Sequence, residues 1–187
     1  MNEAHEVCGS DEWRQAIREF ILPWALGDTD LGDDVLEIGP GYGATTDVLC
    51  QKVPRLTSVE VDEALARMLR DRFAGVPSVE IVTGDATALG FDDERFTGAA
   101  SFTMLHHVPT DELQDRLFGE VARVLRPGAP LVASDSLRSD ELAAQHVDDT
   151  YNPVDPASLP DRLEKAGFER VDVRINSYGW AVVAYRR

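Results

Sequence analysis

Apolar residues fall in short runs along this chain, and the runs are separated by segments with helical spacing. The first run is Val35-Leu36-Glu37-Ile38, and 56–61, 79–83, 98–103 and 131–134 repeat the pattern. Between the last two, Leu113, Leu117, Val121, Val124 and Leu125 recur mostly at three- and four-residue steps. That spacing predicts a helix over 111–125 with one buried stripe. Pro127-Gly128 then supplies the breaker that ends it. Strands alternating with helices of this length imply βαβ crossovers and a parallel sheet. The end of the chain differs. Runs at 170–176 and 180–185 are joined only by Ser177-Tyr178-Gly179, too short for a crossover, so they form an antiparallel pair. The expected fold is α/β, a doubly wound sheet, mostly parallel with an antiparallel C-terminal strand and helices on both faces. In such sheets ligands bind beyond the carboxyl ends of the strands.

The breaks at 27–34, 90–94 and 152–156 are loop-sized, and no repeat appears, so a single domain over 1–187 is expected. A length of 187 residues suits one domain with a sizeable core. Within it, 1–30 reads as an N-terminal helical lid and 31–187 as the core. Trp13, Ile17, Phe20 and Ile21 fall at helical steps, which predicts core packing for them.

The turn after the first strand reads Glu37-Ile38-Gly39-Pro40-Gly41-Tyr42-Gly43-Ala44. Glycines at alternate positions clear side chains from backbone that passes close to a ligand. The loop also opens a helix, whose free N–H groups carry partial positive charge. Two ligand classes use such a turn. Gly39, Gly41 and Ala44 satisfy a dinucleotide pattern, while Glu37, Gly39, Gly41 and Gly43 satisfy a methyl-donor pattern, and Glu60 suits ribose hydroxyls in both. The turn alone does not decide between them.

Three further features do. Glu37 stands where dinucleotide sites keep an apolar strand residue, and a buried carboxylate is costly unless paired. It suits a zwitterionic ligand with an ammonium to neutralise. Gly84-Asp85-Ala86 follows the third strand, where an acid accepts from an adenine amino group while a neighbouring N–H meets a ring nitrogen. The stretch from Ser101 through His106-His107 to Pro109 follows the fourth. Together these features resemble the class I S-adenosylmethionine-dependent methyltransferases, most of all the compact small-molecule branch that includes ubiquinone- and menaquinone-type enzymes. The resemblance runs over roughly 35–185. It implies a Rossmann-like core that binds S-adenosyl-L-methionine and releases S-adenosyl-L-homocysteine. Its donor-binding residues would be Glu37, Gly39, Gly41, Gly43, Glu60, Asp85, Ala86 and Phe102. The sequence departs from the family in two places that bear on packing. Phe96-Thr97 stands where Phe-Asp is usual, and Gly98-Ala99-Ala100 is smaller than the branched residues expected there.

Methyl transfer from a sulfonium needs alignment and exclusion of water more than it needs a metal. No metal is expected: His106 and His107 with Asp85 suggest one, but Asp85 has a better role at adenine, and Asp135 after the fifth strand is the residue that keeps magnesium open. A hydroxyl or phenol acceptor must lose its proton, and His107 or His106 is the candidate base. Trp13, Trp24, Tyr42, His146, Tyr151, Tyr178 and Trp180 are the candidate acceptor-site residues. The short insertion over 146–156 argues for a small or partly exposed acceptor.

Charge narrows the partners. The chain has 18 Lys and Arg against 34 Asp and Glu, a formal charge of −16. Such a balance repels phosphate backbones and anionic lipid heads, so neither a nucleic acid nor a membrane is an expected partner. The chain also lacks the Asn/Asp-Pro-Pro-aromatic run with which base-methylating enzymes hold a flipped amino base. No run is long enough to span a bilayer, and the acidic N-terminus, with Glu3, Glu6, Asp11 and Glu12, does not read as a signal peptide. Cys8 and Cys50 form neither a disulfide framework nor a zinc spacing. The expectation is a cytoplasmic monomer or homodimer acting on a small molecule. The alternatives are a base methyltransferase, a donor-binding subunit without turnover, and a nicotinamide dehydrogenase.

Overall fold

The apolar runs become strands of one seven-stranded sheet in the computed structural model, which describes residues 7–187. The strands are β1 (Asp34–Ile38), β2 (Arg55–Glu60), β3 (Val79–Thr83), β4 (Gly98–Phe102), β5 (Pro130–Ser136), β6 (Phe168–Ile175) and β7 (Gly179–Arg186). They lie in the order β3-β2-β1-β4-β5-β7-β6. The first five run parallel, and β7 enters antiparallel between β5 and β6. The expected fold class therefore holds, with the reversed strand inside the sheet and not at its rim.

Alternation along the central strands feeds two cores. Leu36, Ile38, Leu131, Ala133, Val182 and Ala184 face one of them. It is closed by Leu117, Phe118 and Val121 of the long helix Asp111–Val124 and by Leu159 and Leu163 of the helix Leu159–Ala166. Val35, Val132, Ala181 and Val183 face the other, where Ile17, Leu22 and Ala25 from the N-terminal helix and Val48 and Leu49 from Thr46–Leu49 cover them. The small residues of β4 have a purpose in this packing. A β-carbon at Gly98 would collide with the backbone of Leu31, and Thr97 Oγ1 accepts the Asp34 N–H at 2.9 Å in the same corner.

Of the expected lid over 1–30, residues 1–6 lie outside the described residues, as do Glu3 and Glu6. The remainder forms helix Asp11–Ala16, a π-helical turn Ile17–Ile21 and helix Leu22–Leu26. Pro23 explains the wide turn: it has no N–H to offer and crowds the carbonyl four residues back. Leu22 N–H donates instead to the Ile17 carbonyl five residues back. The extra residue shifts the buried face from Ile17 to Leu22, both fully buried, and leaves Phe20 68% exposed. Phe20 is thus a correction to the expected core stripe. Among the described residues no helix is long and apolar enough to cross a membrane.

Candidate active site

The chain reverses direction across the sheet between β1 and β4, and loops leaving the strand ends there surround a cavity of about 620 Å³. That volume lies within the usual range for small-molecule sites. Its wall is built in the order of the sheet. Asp85 and Ala86 follow β3, Glu60 ends β2, Gly39 and Gly41 follow β1, Phe102 ends β4, and His106 and His107 come just after. Trp13 and Tyr42 also line it, and so does His146 from the segment after β5.

The three loop glycines serve different ends. Gly39 and Gly43 are packing glycines: both have positive φ, and β-carbons there would run into Met104 and Leu69 respectively. Gly41, at φ 54°, has nothing within 4 Å of a would-be β-carbon. Its N–H donates at 3.0 Å to Glu60 Oε2, and Glu60 Oε1 accepts from the Asp62 N–H at 3.0 Å. Desolvation raises the Glu60 carboxyl above its ordinary range, although these backbone bonds favour the ionised form. Each carboxylate oxygen keeps acceptor capacity beyond one bond. Asp85 is exposed at the rim and accepts from the Thr87 N–H at 2.8 Å.

Glu37 and Gly43 are not on the cavity wall. Glu37 is only 2% exposed and sits beneath the loop, where Oε2 accepts from Thr46 Oγ1 at 2.8 Å and Ser58 Oγ at 2.6 Å. Its Oε1 is buried with no hydrogen-bond partner among the described residues. Burial pushes this carboxyl up to about 7. Its observed contacts tie β1 to β2 and to the helix that follows the loop.

A sharp turn presents the histidines. Thr103 follows β4 at φ 52°, which is rare for a β-branched residue and costs about 1–3 kcal/mol. The turn Leu105–His107 comes next, and Gln114 fastens it, donating through Nε2 to the carbonyls of Leu105 at 3.0 Å and Asn152 at 2.9 Å. Asp135, at the end of β5 and almost wholly buried, holds His106 twice. Its Oδ2 accepts the backbone N–H at 3.0 Å and its Oδ1 lies 2.7 Å from Nδ1. An ionised Asp135 accepts from Nδ1–H, which leaves the ring's lone pair on Nε2. The ring centroids of His106 and His107 are 4.2 Å apart, and those of His146 lie 5.1 and 5.2 Å from the two. Tyr151 leans on His146 at 4.7 Å.

Of the aromatic candidates, Trp13 and Tyr42 reach the cavity and Tyr151 backs it. Trp24, Tyr178 and Trp180 do not line it: Trp24 packs on the far core, Tyr178 is 86% exposed, and Trp180 is fully buried in the core beside β5. The contact of Asp135 with His106 was missed. The signal was present, an acid at the end of the fifth strand, but the sequence linked it to a metal and not to a histidine.

A family model described as "Methyltransferase domain" matches residues 36–133. Ribosomal RNA small subunit methyltransferase A of Geobacter sulfurreducens is 48% identical over 61 residues, 33% of this chain and 22% of that protein. A probable S-adenosylmethionine-dependent methyltransferase of Mycolicibacterium smegmatis is 32% identical over 160 residues, 83% of this chain and 59% of that one. The chain thus spans from about a fifth to about three fifths of these curated relatives. A SAM-dependent methyltransferase from Aquifex aeolicus superposes with a TM-score of 0.74 at 19% identity, covering 92% of this chain and 93% of its own, a likeness of fold.

Proposed function

Starting from a chain that belongs to the methyltransferase-domain family, we propose that it is a class I S-adenosylmethionine-dependent enzyme whose acceptor is a small molecule in the cytoplasm. S-adenosylmethionine supplies a methyl group on a sulfonium, already activated for direct displacement. The residues present suit that donor: Gly41 leaves its side of the loop open toward the cavity, and Glu60 has acceptor capacity to spare. Glu60 receives the ribose hydroxyls, Asp85 the adenine amino group and Ala86 N–H a ring nitrogen, with Phe102 beneath.

The observation that carries the acceptor reading is His106 on the cavity wall, held from behind by the buried Asp135. His106, held through Nδ1, takes the acceptor's proton at Nε2 as the nucleophile attacks, and His107 orients the acceptor beside it. Trp13 and Met104 exclude water. Met104, His106 and His107 follow β4 and Asp135 is at the end of β5, whereas Glu60 ends β2 and Asp85 follows β3, so donor and acceptor meet over the β1–β4 crevice. The net charge of −16 disfavours RNA, the substrate named for the Geobacter relative.

A thermal-shift screen of metabolites with S-adenosylhomocysteine present identifies candidate acceptors, and turnover to S-adenosylhomocysteine then distinguishes an enzyme from a donor-binding subunit. His106→Ala is expected to lower turnover about 10²–10⁴-fold, the usual contribution of a positioned base, with donor affinity unchanged. Saturable micromolar binding of tRNA or duplex DNA in a mobility shift at about 150 mM salt, followed by its methylation, would overturn the assignment.

A further inference from the structure

We propose that His106, His107 and His146 form a binding site for a divalent transition-metal ion, zinc(II) by preference. The sequence expectation of no metal weighed His106 and His107 only with Asp85. The fold adds His146, some forty positions further on, which no spacing motif connects to the other two. One ligand-capable nitrogen from each histidine lies within 4.8 Å of the other two. Tetrahedral zinc with nitrogens at about 2.0–2.1 Å places those nitrogens about 3.3 Å apart, a contraction that side-chain rotation can supply.

The surroundings favour a metal over a plain imidazole stack. Histidines that ligate metals almost always engage their second ring nitrogen with a carboxylate or a backbone carbonyl, which fixes tautomer and orientation. His106 and His146 do so here: His106 Nδ1 lies 2.7 Å from Asp135 Oδ1, and His146 Nδ1 lies 2.6 Å from the Leu142 carbonyl. Both would then coordinate through Nε2. Three neutral imidazoles without a carboxylate ligand suit zinc better than magnesium or calcium, which prefer oxygen. Three protein ligands also leave a fourth position open, as in zinc sites that do chemistry.

The inference rests on the reading that this end of the cavity receives the acceptor, and it refines the acceptor class. A hydroxyl, phenol or thiol enters the fourth position through its oxygen or sulfur and gives its proton to solvent. The acceptor is then methylated as an anion; a bound ion would thus replace His106 as the group that frees the acceptor of its proton, while the acceptor keeps its proposed place in the cavity.

The test uses the full chain, stripped of metal and titrated with zinc(II) against a chromophoric chelator. One equivalent is expected. His146→Ala and His107→Ala should each weaken binding at least a hundredfold, and Asp135→Asn about 10–100-fold. Substituted cobalt(II) should show the visible bands of a tetrahedral site, and His146→Ala should abolish them. S-adenosylhomocysteine affinity, measured on every variant, reports folding, and the half-buried His107 provides a second variant should His146→Ala not fold. Zinc binding that is absent, or that survives both histidine variants, overturns the metal site. Methyl transfer by a zinc-free protein would overturn the metal alone, whereas a zinc-loaded protein with no turnover on any metabolite would overturn the functional reading instead.

Discussion

The stability of this protein should fall as the pH rises through neutrality, because of Glu37. Its carboxyl titrates at an ordinary 4.5 when unfolded and at about 7 when enclosed beneath the glycine loop. Between those values the folded state holds a proton that the unfolded state has released, so stability decreases with increasing pH. The contribution is complete below about pH 4.5 and lost above about pH 7. Each tenfold difference in proton affinity is worth about 1.4 kcal/mol, so ionising Glu37 in place costs about 3 kcal/mol. Glu37→Gln removes the titration. Its carbonyl oxygen can still accept from Thr46 and Ser58, but its amide N–H₂ enters the place where Oε1 has no partner. That adds a pH-independent penalty of about 1–3 kcal/mol. The variant should therefore be the less stable protein at pH 4.5 and should gain on the native one by about 3 kcal/mol by pH 8. Urea unfolding of both proteins at half-unit pH intervals measures the difference, and subtraction removes the titrations they share. A difference that stays flat from pH 4.5 to 8 refutes the reasoning, since Glu37 would then ionise in the fold as easily as in water.

Two further expectations separate binding from folding. Glu60→Ala and Asp85→Ala should each weaken S-adenosylhomocysteine binding by roughly ten- to a hundredfold in calorimetry, the worth of a hydrogen bond to a charged acceptor; unchanged affinity in both removes them from the donor site. Gly41→Val should abolish that binding; its side chain enters open space, so the melt stays cooperative, at a melting temperature lowered by the strain of a β-branched residue at φ 54°. Gly43→Ala should also lower the melting temperature, since its β-carbon meets Leu69 at a φ of 79°. Normal binding by folded Gly41→Val would mean that the donor does not pass over this glycine, which then serves only the turn's positive φ.

The sheet was legible because its evidence is local. Val35 to Ile38 and the runs that follow are short, apolar and bounded by turn residues, and the three-residue link before Trp180 allows only a hairpin. That this hairpin's second strand would insert beside β5 was not legible, since pairing partners are chosen by packing across the whole sheet. The same limit applies to the aromatics. Trp13 reaches the cavity from a helix, whereas Trp180 is sealed in the core from β7, a strand buried on both faces, where no alternation tells the faces apart. Phe20 was misplaced because a π-turn changes the helical period for one residue. The places of Gly39, Gly41, Glu60 and Asp85 around the cavity could be read because each lies at a strand end or within three residues past one. His146 joins His106 and His107 from the end of the short helix Asp140–Gln145, which is tied in place by contacts such as Ser139 N–H to Tyr151 Oη at 3.1 Å that no periodicity encodes.

The insertion of β7 between β5 and β6 bears on the order in which the protein can be completed. β7 is made after both strands it touches, and β6 has no other neighbour in the sheet. Until Gly179–Arg186 arrives, β5 offers a row of unpaired backbone groups flanked by Leu131, Val132 and Ala133, which are buried in the finished fold. Trp180, among the largest fully buried side chains, arrives with the same strand. A nascent chain that stops short of residue 179 is therefore not a smaller version of the protein. It exposes an apolar, open-edged β5, of the kind that recruits a strand from another chain, so premature termination should yield aggregates for the cell to clear.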